Sequence, residues 1–244
     1  AYISGPGELS VLLDYLDDPV LGARAVEAAA RRGDSVAVAR QLLDRLPEAA
    51  DARQPWRAAI AAIARRLDAA ALIQLADTVA EDGADAPLVR QVLEAARDLP
   101  VEANGVRLKL LLRLASRTLD AGDAEAAQRL IAELSKATLT DEQKRTLSHL
   151  TVRQQLAAGQ YAEALTGAEA LIKAHPDLTE AVVDHLLDGV DRALAEKRTE
   201  QASILLARVQ ALSEETLDDA GRQRLAALRA KLAELQTPEP PADG

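Results

Sequence analysis

A turn that recurs at nearly constant spacing constrains this chain more than any other feature of it. Ala121-Gly122-Asp123-Ala124 and Ala158-Gly159-Gln160-Tyr161 share one form, and Glu196-Lys197-Arg198-Thr199 repeats it with lysine for glycine. Their central positions 122, 159 and 197 lie 37 and 38 residues apart. Apolar residues three and four apart flank each turn, so each joins two amphipathic helices. A helix pair with one apolar face cannot bury that face alone, and a period of this length marks a stack of helical hairpins. Arg32-Gly33-Asp34-Ser35 has the same form, but no periodic successor follows it.

The residues available for a core point the same way. Hydrophobic residues make up 48% of the chain, yet aromatics are only 2%, with no Phe, Met or Cys. The interior must therefore be built from Ala, Leu, Val and Ile. Ala and Leu are strong helix formers, and small side chains let helices approach closely, whereas a sheet calls for more β-branched and aromatic residues. The expected fold is all-α, a superhelix of stacked antiparallel helix pairs with about 12 or 13 helices. No apolar run approaches the roughly 20 residues of a membrane span, so a soluble chain is expected.

Residues 1–7 read as a linker-like lead and 8–236 as a helical repeat domain. Within that domain, 8–99 is irregular, 104–214 is regular and 217–235 is a terminal capping helix. Residues 237–244 are proline-rich and form a tail. The first helix spans about Glu8 to Leu16, the second Val20 to Arg32 and the third Asp34 to Leu46, with Pro47 as its stop. Pro55 opens the next, where a first turn tolerates proline, and Leu99 to Gly105 is the expected internal joint. Thr140 with Gln143 three residues on forms a capping box. The absence of Met leads to the expectation of a processed protein or an excised fragment.

Gly159, Tyr161, Ala164 and Pro176 resemble the tetratricopeptide repeat family. Its second helix follows a Gly-x-aromatic turn, carries a small residue five positions after the Gly and a large one four further on, and closes with Pro. Gly122, Ala127 and Ile131 match in part, as do Leu111, Leu114 and Ala115 in the helix before. The third unit keeps Ala202 and Leu206. The family repeats every 34 residues, shorter than the spacing here, and Ala168 stands where a large residue belongs. The resemblance covers about Val106 to Leu212 and implies a divergent α-solenoid, with Tyr161 packed between repeats and a concave face that holds a peptide or helix of a partner.

Charge narrows the function classes. There are 29 basic and 39 acidic residues, a net charge of −10. This balance opposes binding to nucleic acid or to an anionic membrane, both of which need positive faces. No Cys, phosphate loop, nucleophile elbow or metal-ligand spacing occurs, so neither an enzyme nor a cofactor nor a metal is expected.

The candidate partner-binding residues lie on charged helix faces. Lys109, Arg113 and Arg117 recur every four residues in a stretch without acid. They read either as a surface for an acidic peptide or as a solvated face paired to Glu125 or Glu133. The family's inward-facing positions, carried over, place Lys109, Leu112, Ser116, His149 and Arg153 on the concave side. His149 sits between Arg145 and Arg153, which lower its value as a metal ligand. Asp184 and Asp188 belong to an acidic row that begins at Asp177, with His185 between them, and read as solvated or partner-facing. Trp56 shares a stripe with Ile60 and Ile63 and is expected in the core.

The function implied is a non-catalytic protein-interaction scaffold in a bacterial assembly, in the periplasm or envelope or in the cytoplasm. The alternatives are a self-assembling subunit that pairs through Leu225, Leu228, Leu232 and Leu235, and a regulatory domain excised from a larger enzyme.

Overall fold

The computed structural model describes residues 36–49, 52–81, 86–213 and 217–236, together with 15, 18, 21, 22, 24, 25 and 28. The expected lead at 1–7, the helix over 8–16 apart from Tyr15, the turn at 32–35 and the tail at 237–244 lie outside the described residues. Every regular element described is helical. They are α1 (Val36–Leu43), α2 (Gln54–Ala64), α3 (Ala69–Glu81), α4 (Ala86–Glu94), α5 (Asn104–Asp120) and α6 (Ala124–Leu134). Then come α7 (Asp141–Ala157), α8 (Tyr161–Ala174), α9 (Thr179–Ala195), α10 (Thr199–Ser213) and α11 (Asp219–Gln236). Short 3₁₀ turns occupy Ala95–Asp98, Val101–Ala103 and Pro176–Leu178.

Two compact units divide the chain, residues 1–117 and 118–244, and the division falls inside α5. In the first unit α1 packs on α2 and α3, and α4 on α2 and α3. Leu42, Ile60, Ile63, Leu72, Leu75 and Leu88 are fully buried there, and Trp56 joins them in the core. In the second, α7 pairs with α6 and α8, α9 with α10, and α11 covers both α9 and α10. The core of this unit, from Val152 to Leu232, is built from Ala, Leu and Val with Tyr161 as its one aromatic. No helix among the described residues is long and apolar enough to cross a membrane.

Polar side chains close the open backbone groups at the helix starts. Asp123 accepts from the Ala126 N–H at 3.0 Å, and Asp218 from the Gly221 N–H at 2.7 Å. Thr140 and Gln143 form the capping box read from the sequence, at 3.3 and 3.0 Å. The ends of α5, α7 and α9 share one device. Gly122, Gly159 and Lys197 adopt φ of 78°, 72° and 58°. Their N–H groups donate three residues back, to Leu119, Leu156 and Leu194, and the next N–H donates five back, to Thr118, Gln155 and Ala193. This paired pattern is the Schellman motif, which a left-handed residue makes possible. Five positions after each, Ala127, Ala164 and Ala202 are wholly buried, so the helix returning from the turn seats a methyl where its neighbour is nearest.

The leucine face of α11 requires a correction. Leu225, Leu228 and Leu232 are buried against α9 and α10, and of the proposed self-assembly face only Leu235 is exposed, at 44%. Without α11, the apolar edge of the α9/α10 pair would face water, so the last helix uses its stripe within its own chain.

The repeated left-handed position predicts opposite responses to substitution. A Cβ at Gly122 meets nothing within 4 Å, so Gly122→Ala tests backbone strain alone and should lower unfolding stability by about 1 kcal/mol. Lys197→Gly relieves the same strain and should raise stability by a few tenths to about 1 kcal/mol. Urea denaturation of the two variants checks both signs.

Candidate functional site

In the second unit α7 packs on α9 and α9 on α11. Each of these odd-numbered helices sends an arginine to the odd-numbered helix before it. Arg153 of α7 donates to Asp120 at the end of α5, at 2.6 Å. Arg192 of α9 donates to the Ala157 carbonyl at the end of α7, where the helix dipole is negative. Arg224 of α11 donates to Asp188 and Asp191 of α9, at 2.7 and 3.0 Å. Within the first unit Arg113 of α5 pairs in the same way with Asp77 of α3. The partners in these contacts are separated by 33 to 36 residues, close to one repeat.

The arrangement leaves an open cavity of about 340 Å³ in the second unit, against the end of α5, the C-terminal half of α7 and α9 from His185 to Arg192. Leu119, Leu156 and Gly189 give it an apolar lining, and Asp120, Arg153, His185, Asp188 and Arg192 supply charge and hydrogen-bonding groups. Gly189 holds two helices close, because a Cβ there would meet Leu156 Cδ2 at 2.8 Å. Asp120 and Arg153 neutralise one another, and Asp188 is shared by His185 and Arg224. Arg192 meets no carboxylate among the described residues. A ligand with an acid beside an aliphatic group would satisfy both its charge and the apolar lining.

Next to the cavity, the His149 and His185 rings meet with centroids 4.9 Å apart and planes tilted by 35°. His185 Nδ1 lies 3.6 Å from the Asp188 carboxylate. The Nε2 atom of half-buried His149 is closed off from solvent and has no hydrogen-bond partner among the described residues. Burial first, and then the positive fields of His185, Arg153 and Arg145, push the His149 pKa from 6.5 down to about 4. The hydrogen bond from His185 lowers the Asp188 pKa; burial opposes it and Arg224 reinforces it. No three acidic or imidazole groups among the described residues are placed to hold a metal ion.

The structure brings His149, Arg153 and Asp188 together, and adds Asp120, His185 and Arg192, which the sequence had not marked as partner-binding. For His185 the signal was spacing: 149 and 185 differ by 36, close to one repeat, on successive odd-numbered helices. Asp184 is exposed beside this group and does not line the cavity. In the first unit, Lys109 and Arg117 are exposed and Ser116 is partly buried. Leu112 lies in the core, 5% exposed, so it offers no docking surface. Arg113 is engaged by Asp77, while Glu125, its candidate partner from the sequence, takes Arg129 at 3.1 Å. Tyr161 is buried beneath the Arg198 guanidinium, which lies 6.0 Å from the ring centroid.

No protein-family model matches the chain, and no curated protein or solved structure matches it.

The Arg153–Asp120 contact should behave as a partly exposed ion pair. A double-mutant cycle with Arg153→Ala and Asp120→Ala is expected to give a coupling of about 0.5–1 kcal/mol that shrinks in molar salt. Denaturation midpoints of the four proteins, at low and high salt, measure it.

Proposed function

We propose that the chain is a tetratricopeptide-like α-solenoid that serves as a non-catalytic interaction scaffold, and that a peptide or helix of a partner protein docks on the odd-helix face of its second unit. The observation that carries this reading is the open cavity. It is formed by successive odd-numbered helices, lined by leucine and glycine, and edged by charges of both signs. Such a surface selects a partner by charge pattern and side-chain shape together. The repeated Schellman turns, the buried alanine after each and the Arg contacts whose partners lie 33 to 36 residues apart support the solenoid half of the reading. The charges at the cavity are mostly paired with one another, as suits a surface that holds its shape before a partner arrives.

An array of short peptides varying in charge and aliphatic content tests the docking. Peptides that carry an acid next to an aliphatic residue are expected to be selected. Arg192→Glu should weaken the tightest of them by about tenfold, the scale of one charge-assisted contact. Lys173→Glu, on exposed α8 surface outside the cavity, should leave it unchanged. Equal binding by the wild-type and Arg192→Glu proteins, or an array with no selection, would sink the proposal.

A further inference from the structure

Four basic groups surround one point between α7 and α9, and three of them have a carboxylate of their own. Arg145 pairs with Asp177, Arg153 with Asp120 and His185 with Asp188. His149 lies among them without one among the described residues, its ring against His185 and its Nε2 sealed from water. The charges that bear on this ring are those of His185 across the contact and of Arg153 and Arg145 on its own helix. α6 and α8 also pack on α7, but there Arg129 is turned to Glu125 and Glu169 to Arg208. On α9, Asp184 is exposed and Asp188 is already shared between His185 and Arg224. A proton on His149 would therefore add a positive charge beside two arginines, with no counter-charge among the described residues to meet it.

We propose that the His149–His185 contact is a proton-sensitive clasp between α7 and α9, closed while His149 is neutral and opened by acid. His185 and Arg153 line the cavity, so opening the clasp moves two of the groups that shape it. Acidification therefore also releases whatever is docked there. This second consequence rests on the docking reading; the clasp does not.

The sign follows from the two protonation states. His149 is held unprotonated in the closed form and takes a proton at its ordinary pKa once the contact opens. Closure is thus fully stable above about pH 6.5 and loses stability progressively down to about pH 4. By pH 5 the open form should gain roughly tenfold in relative population, a figure that allows for the partial exposure of the ring.

NMR titration of the imidazole carbons in the full chain, assigned with His149→Phe and His185→Phe, reads the clasp directly. The His149 signal is expected to stay that of a neutral ring to about pH 5, and the amides of α7 and α9 to lose hydrogen-exchange protection between pH 7 and pH 5. His149→Phe keeps an aromatic ring in the contact but binds no proton, so its protection should be flat over that range. A His149 that titrates near 6.5, or an acid-induced loss of protection undiminished in His149→Phe, overturns the clasp. If His149→Phe fails to fold, the wild-type titration decides alone. The tightest peptide of the array should bind about tenfold more weakly at pH 5 than at pH 7 to the wild type, with a smaller change in His149→Phe; equal binding at both pH values overturns the release. A clasp that titrates as expected in a chain that selects no peptide supports the clasp and overturns the docking reading.

Discussion

A left-handed residue after each of α5, α7 and α9 sets the spacing of the helix pairs in the second unit. Gly122, Gly159 and Lys197 end α5, α7 and α9 with the same pair of backward hydrogen bonds. Those bonds satisfy carbonyls that a helix end otherwise leaves open and direct the chain into the returning helix. With the turn defined, the small residue five positions on must face the preceding helix, and it is a fully buried alanine in all three cases. Lysine can stand at the third turn because the left-handed conformation costs a side chain only about 1–2 kcal/mol, which the packing of α9 on α10 sustains.

From that spacing follows the polar chemistry of the odd-helix face. Residues one repeat apart meet on successive odd-numbered helices, so an arginine on one lies over an aspartate or a helix C-terminus on the one before. The exposed members of this series stabilise the fold only modestly, since water and salt screen them. Their larger effect is on the arrangement of charge: they neutralise Asp120, Arg153, Asp188 and Arg224 against one another and, among the described residues, leave His149 and Arg192 without a carboxylate. Those two groups are where a ligand or a proton changes the balance most. One borders the cavity as an uncompensated cation, and the other is an imidazole that burial and its neighbours keep neutral.

The absence of large aromatics shapes the same region. A core of Leu, Val and Ala has no bulky ring to hold helices apart, and Gly189 lets α9 press against Leu156 of α7. That close approach brings His149 and His185 into ring contact. Tyr161, the one aromatic in this core, lies after a Schellman turn beneath Arg198 rather than on the odd-helix face.

The sequence by itself marked where helices of the regular region start and stop, because helical periodicity, N-caps and left-handed turn residues act locally. Thr140 with Gln143, Asp123 and Gly159 each report a helix end through contacts a few residues away. Trp56 was legible as core for the same reason, its stripe with Ile60 and Ile63 being local. Tertiary structure alone decided which charges are available. Arg113, one of a basic row in the sequence, is held by Asp77, 36 residues away; Leu112 turns inward; and the leucines of α11 cover α9 and α10. It also decided that His149 and His185, apparently unrelated in the chain, touch. The physical reason is that a side chain's charge and accessibility depend on what lies across the helix interface, and that is set by how successive hairpins stack, not by the residues on either side of it in sequence.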